Sequence, residues 1–253
     1  MMTGIYFSGT GNTKYCLSRF LSNIDNNTPI FSIEDNFSIS SISGSKDIVF
    51  AYPIYYSNLP KIVRDYIENN NSLWREKNIY IIATMGLFSG DGTGVSARLF
   101  QKYGANIIGG LHLRMPDCIG DVKALKKSYA ENKKIVEAAC EKIDTAAGRY
   151  LQGHPTQEGL SIFYHLAGLF GQRLYFSHKT RNYTQNPKID RGKCIGCRVC
   201  EKSCPMHNIH MKDSKAVSGN MCTMCYRCFS SCPQQAITLI GRQVLEQHKI
   251  DRY

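Results

Sequence analysis

Four apolar runs set the rhythm of the first 115 residues: TGIYF, DIVFAYPIYY, NIYIIAT and ANIIGGLHLRM. Each is near-continuous rather than alternating, which is the pattern of a strand covered on both faces. Between them, apolar residues recur at helical spacing over Thr13–Leu21, Lys61–Glu68 and Val95–Tyr103, and a long polar helix is expected over Val122–Thr145. A shorter run, TPIFSI, supplies the second strand in chain order, and the Ser/Asn-rich residues around it read as loops. Strands alternating with helices predict a doubly wound α/β fold: five parallel strands in the order 2-1-3-4-5, with a ligand at the switch point beside the first strand.

The pattern changes after about residue 149. Ile162, Phe163, Leu166, Leu169, Phe170 and Leu174 recur at helical spacing. The reading is a helical connector over 150–184 that packs on a neighbouring domain. A homodimer contact or a membrane-surface helix is the alternative, because Arg173, His178, Lys179 and Arg181 follow the stripe. No apolar run reaches the length of a transmembrane segment. The N-terminus begins directly with a strand-like run and shows no secretory signal, so a cytoplasmic protein is expected.

Residues 185–253 carry a different chemistry. Eight of the eleven cysteines lie between Cys194 and Cys232. Thiols stay reduced in the cytosol, so clustered cysteines point to metal rather than to disulfides. They fall in two copies of one pattern, CIGCRVCEKSCP and CTMCYRCFSSCP, each C-x2-C-x2-C-x3-C-P. A zinc site wants four ligands, usually as two separated C-x2-C pairs, and three cysteines in tight succession suit it poorly. The doubled pattern resembles the bacterial ferredoxins that hold two 4Fe–4S clusters, in which the fourth cysteine of each motif serves the other cluster. The resemblance implies one cluster on Cys194, Cys197, Cys200 and Cys232, and a second on Cys222, Cys225, Cys228 and Cys204. His207 and His210 stand beside the first motif, but all eight ligands are already supplied. Cys16, Cys118 and Cys140 stand alone and read as small buried hydrophobes.

Charge then takes on a meaning. The chain is formally +11, and residues 185–253 hold 11 basic and 5 acidic side chains. Two oxidised clusters with four thiolates each bring roughly −4. The basic surplus offsets that charge, so it is read as compensation and no nucleic acid is expected.

The first strand closes on FSGTGNT. An ATP or GTP loop needs Gly-Lys-Ser/Thr after its glycine run, and Asn12 follows Gly11 instead. A dinucleotide loop needs a third glycine where Lys14 stands. What remains is a loop of hydroxyls and amides at a helix N-terminus, which suits a monophosphate dianion; an ordinary N-capped turn is the bland alternative. Ser8-Gly9-Thr10-Gly11-Asn12-Thr13 resembles the phosphate loop of flavodoxins. That resemblance implies FMN as cofactor and two further flavin-contact loops. One is Pro53, Ile54, Tyr55, Tyr56, Ser57 and Asn58, with a backbone turn near Ser57–Asn58. The other is Thr84, Met85, Gly86, Ser89, Gly90 and Asp91. The whole chain then resembles fusions of a flavodoxin-like domain (1–149) with a small α+β two-cluster ferredoxin domain (185–253). Such a fusion implies an electron-transfer protein of anaerobic metabolism that serves a redox partner protein or a small-molecule acceptor. The alternative is a flavin-dependent reductase fed through the clusters. The reductase needs room over the flavin and proton donors, for which Tyr55, Tyr56 and Asp91 are the candidates.

Overall fold

The structure is a computed structural model that describes residues 1–56, 58–87, 91–161 and 186–253. The helical stripe of the connector and its trailing cations lie outside these residues, as do Ser57, Ser89 and Gly90.

Five parallel strands form the main sheet: β1 (Met2–Tyr6), β2 (Ile30–Ser32), β3 (Asp47–Pro53), β4 (Asn78–Met85) and β5 (Asn106–Arg114). Their order is β2-β1-β3-β4-β5, the order expected of a flavodoxin-like sheet. The helices α1 (Asn12–Ser22), α2 (Phe37–Gly44), α3 (Lys61–Asn69), α4 (Gly92–Lys102) and α5 (Tyr129–Leu151) are distributed around it. The near-continuous apolar runs follow from two cores. On one, Phe50, Trp74 and Phe100 meet edge-on, with the Trp74 indole N–H donating to the Ile67 carbonyl at 2.8 Å. On the other, Phe20 stacks on Tyr80 at 4.9 Å, against Leu17, Val136 and Ile143.

Three local expectations need correcting. The long helix starts at Tyr129, not Val122, because Ser128 and Glu131 form a reciprocal cap: the Ser128 hydroxyl accepts from the Glu131 N–H, and the Glu131 carboxylate accepts from the Ser128 N–H. Residues 115–128 are thereby left as a loop at the carboxyl edge of the sheet. The Ser-rich stretch read as loop contains α2, where Ser40, Ser41 and Ser43 satisfy their hydroxyls on carbonyls one turn back. The third strand ends at Pro53 rather than running to Tyr56.

His112 on β5 is buried and neutral; its Nε2 accepts the Thr93 N–H at 3.1 Å, and burial lowers its pKa from 6.5 to about 4. In the unfolded chain the imidazole protonates near its ordinary value, so stability is lost as pH falls from 6.5 towards 4. Denaturant unfolding at pH 7.5 and 5.5 is expected to differ by about 1 kcal/mol from this group. A His112→Gln variant should lack that slope.

The cysteine-rich part has two short antiparallel pairs, β6 (Lys188–Ile189) with β9 (Ile237–Thr238), and β7 (Ile209–Lys212) with β8 (Lys215–Ser218). Two five-residue helices, α6 (Val199–Ser203) and α7 (Arg227–Ser231), follow the cysteine triplets. The chain end then returns across the N-terminal sheet. Ile250 donates its N–H to the Thr10 carbonyl, and Tyr253 stacks on Tyr129 while its hydroxyl accepts from Asn132.

Candidate functional site

The carboxyl ends of the parallel strands surround one cavity of about 310 Å³. Its wall includes Ser8, Gly9, Thr10, Asn12 and Thr13 after β1, Pro53–Tyr56 after β3, and Thr84–Gly86 at the end of β4. Three loops that are remote in sequence converge there because parallel strands place all their carboxyl-end loops on one side of the sheet.

The loop after β1 is shaped as an anion seat. Gly11 adopts φ 100°, which turns the chain into α1, and no side chain caps that helix. Its first turn has no acidic residue, and Asn12 and Thr13 at its start line the cavity, so its dipole favours an anion there; the Gly11 N–H is taken by the Ser8 hydroxyl at 3.2 Å. Among the described residues the Thr10 hydroxyl makes no side-chain hydrogen bond. Two other members of the loop are braces: Asn12 Nδ2 donates to the Pro116 carbonyl at 2.8 Å, and the Thr13 and Thr84 hydroxyls bond at 2.8 Å. The hydroxyls and helix N-terminus fit a monophosphate.

Some expected members sit elsewhere. Gly11 is not on the wall; an added Cβ there would meet Ile250 at 2.5 Å. Asn58 is buried and turns its carboxamide back to the Leu59 N–H. Among the described residues of this loop Tyr56 is left-handed, at φ 51°; the sequence pointed to Ser57–Asn58, of which Ser57 lies outside the described residues. Asp91 is fully buried and paired with Arg98 at 2.6 Å, away from the wall.

The loop after β5 was missed. Met115, Pro116, Asp117, Cys118 and Ile119 all line the cavity. The signal is in the sequence: Met115 ends the expected fifth strand and residues 116–121 lie between it and the expected helix, at the binding edge, but the sequence reading gives them no role. Cys118, read as a core residue, faces the cavity, and burial raises its pKa well above that of a free thiol. Asp117 is the carboxyl of the site, with proton affinity raised by burial; burial also pushes the Tyr56 hydroxyl up to about 12.

The last part of the wall comes from the second cysteine motif: Met224, Cys225 and Tyr226. A Cβ on Gly9 would lie 2.1 Å from the Cys225 carbonyl oxygen, so the two loops touch backbone to backbone. Arg227 fastens them. Its guanidinium donates to both Glu34 oxygens at 2.7 Å and to the Ser8 carbonyl at 2.7 Å. Asp121, itself buried, fastens the other side. One oxygen accepts from Tyr226 Oη at 3.0 Å; the other accepts the N–H groups of Leu239, Ile240 and Gly241 at 2.7, 3.0 and 3.0 Å.

The eight motif cysteines line two further cavities. Cys194, Cys197, Cys200 and Cys232 share one; Cys204, Cys222, Cys225 and Cys228 share the other. These are the crossed sets that the ferredoxin spacing implies. No group of three or more His, Cys, Asp or Glu among the described residues is gathered as around a single ion. Four thiols spread around a cavity suit a cage of several metals better. In the second cavity, Asn208 Nδ2 and Thr223 Oγ1 are buried without partners among the described residues. Such donors fit a sulfide-bearing group. Backbone N–H groups already point at Sγ of Cys194, Cys204, Cys222 and Cys232, at 3.3–3.4 Å.

Comparison with known proteins agrees with this division. Residues 5–108 match the flavodoxin domain family, and residues 193–236 match the 4Fe-4S dicluster domain family. The chain carries both domains. It is 37% identical over 51 residues to an uncharacterized protein of Methanocaldococcus jannaschii, 20% of each chain. It is 45% identical over 47 residues to one component of an ion-translocating oxidoreductase complex of Methanosarcina acetivorans, 18% of each chain. The matches thus span about a fifth of these relatives' length. The solution structure of two-electron reduced Megasphaera elsdenii flavodoxin covers 59% of this chain and 99% of its own, at 18% identity and a TM-score of 0.44. A flavodoxin domain and a 4Fe-4S dicluster domain are thus joined in one chain. No helix among the described residues is long and apolar enough to cross a membrane.

Proposed function

We propose that the chain moves electrons between two 4Fe–4S clusters and FMN, within one polypeptide, in anaerobic metabolism. The observation that carries this reading is the shared wall: Cys225 lines both the flavin-sized cavity and the second four-cysteine cavity. When bound, FMN exchanges one or two electrons, and each cluster exchanges one. The chain's own residues hold these sites apart by a single loop. Thr10 and the α1 N-terminus seat the phosphate, Tyr55 and Tyr56 flank the ring, and Met224 and Tyr226 close the side towards the cysteines. The domains on this reading are 1–149, a connector over 150–184, and 185–253. A reducing, cytoplasmic setting suits eight thiols committed to iron.

The second reading, a reductase of a small acceptor such as a quinone or nitro compound, draws support from Asp117, a carboxyl of raised proton affinity on the cavity wall. The cavity volume favours the carrier. At about 310 Å³ it is at the low end for one small-molecule ligand, the size expected of a site for the cofactor alone.

Anaerobically purified protein is expected to hold one FMN and about eight iron atoms per chain with matching acid-labile sulfide. Zinc without sulfide would sink the reading. Thr10→Ala is expected to weaken FMN by roughly ten-fold or more, the value of one hydrogen bond to a charged group, and to leave riboflavin nearly unaffected. Equal loss for both ligands would move the phosphate elsewhere.

A further inference from the structure

The two cysteine motifs are copies of one another, yet their surroundings differ. Equal spacing puts Ile195, Gly196, Cys197, Arg198 and Val199 at the positions of Thr223, Met224, Cys225, Tyr226 and Arg227. The backbones agree: Arg198 (φ 63°) and Tyr226 (φ 57°) are both left-handed, and each opens a five-residue helix. In the second copy this surface is covered. Thr223, Met224, Cys225 and Tyr226 are buried, and the last three meet the flavodoxin domain at the wall of its cavity. In the first copy no element among the described residues covers the same surface. Ile195 is 63% exposed, Val199 38%, and Cys197 and Arg198 are exposed as well.

Charge indicates what covers it. Around this face Arg191, Lys193, Arg198 and Lys202 are exposed. Arg191 is 3.7 Å from Asp213 and Arg198 is 3.8 Å from Glu201, whereas Lys193 and Lys202 have no ion pair among the described residues. The occupied copy shows how such a face is used: a cation beside the cysteines, Arg227, grips a carboxylate on the docked body, Glu34. Exposed cations outnumber exposed carboxylates here, Arg191, Lys193, Arg198 and Lys202 against Asp190 and Asp213, around an apolar centre that holds a cysteine.

We infer that the open face at Ile195–Val199 is the docking surface for an acidic one-electron carrier protein, with carboxylates around its redox centre, which exchanges electrons with the Cys194–Cys197–Cys200–Cys232 site. This rests on the reading that both cysteine cavities hold clusters. In the step the carrier loses one electron and this site gains one; no bond forms or breaks. The duplication thus gives the domain two equivalent faces, one used permanently within the chain and one used transiently between proteins.

The test uses the holoprotein, with iron and sulfide measured first. Reduced plant-type 2Fe–2S ferredoxin serves as the acidic probe, and methyl viologen radical serves as a small donor that needs no docking surface. Rapid mixing follows cluster bleaching. The second-order rate with ferredoxin is expected to fall at least about ten-fold between low and high salt, and about as much in a Lys193→Glu/Lys202→Glu variant at low salt. Binding of oxidised ferredoxin, measured by calorimetry, should weaken in parallel. The viologen rate should change little, and Lys133→Glu/Lys134→Glu, on exposed α5 positions, should behave as the parent. Intact clusters with a ferredoxin rate indifferent to salt and to Lys193 and Lys202 would overturn the inference. So would a dimer that the Lys193/Lys202 variant dissociates, since that assigns the face to a second copy. A holoprotein without iron and sulfide would instead overturn the cluster reading, and this inference with it.

Discussion

Replacing Asp121 with alanine is expected to destabilise the protein by about 3–5 kcal/mol and to loosen the contact between its two redox domains. The carboxylate is 5% exposed and serves four donors, all from the dicluster side of the interface. Alanine leaves the buried Tyr226 hydroxyl and Leu239 N–H without partners, and each such group costs about 1–3 kcal/mol. Asp121→Asn keeps an oxygen for the N–H groups and an amide beside Tyr226, so it should lose much less. FMN should remain bound in both, because the phosphate seat is formed by other residues. Denaturant unfolding, followed by near-ultraviolet circular dichroism and flavin fluorescence, gives the comparison. Parent-like stability in Asp121→Ala would mean that the carboxylate is not the clamp.

The second large effect is expected at Gly9. An alanine methyl would lie 2.1 Å from a backbone oxygen of Cys225, which no side-chain rotation relieves. Either the loop after β1 or the second motif must shift, at a cost of about 1–3 kcal/mol. Gly44 and Gly148 are the controls. An added Cβ meets nothing within 4 Å at either site, and Gly148→Ala inside α5 should stabilise by up to about 1 kcal/mol. Equal tolerance at Gly9 and Gly148 in thermal unfolding would show that the two domains do not touch there. Gly9 has two roles on this account: it belongs to the phosphate loop, and it lets a cysteine loop approach the flavin site.

The fold was legible where burial dictates the pattern. Strands covered on both faces must be continuously apolar, so β1, β3, β4 and β5 stood out; their alternation with helices gave the doubly wound class, and the flavodoxin resemblance the strand order. The grouping of the eight cysteines around two cavities was legible because their spacing is a property of the chain itself. Three features escaped for physical reasons. Helix α2 is serine-rich, and serine helices are made by tertiary packing, not by propensity. The loop after β5 has no period to betray it, and only the reciprocal cap at Ser128 and Glu131 separates it from the helix that follows. Asp121, Arg227 and Gly9 are interface residues whose partners lie over one hundred positions away; their roles exist only once the domains meet.

The central claim is that the second cysteine site and the flavin site exchange electrons inside one chain. Anaerobic rapid mixing of the holoprotein with a limiting one-electron donor, with cluster and flavin absorbance read separately, tests it most directly. The account predicts cluster bleaching first, then flavin reduction at a first-order rate that does not change with protein concentration, and that is slowed when Cys228→Ser damages the second site while FMN stays bound. A flavin rate proportional to protein concentration, or one equally fast in the Cys228→Ser protein, would contradict it.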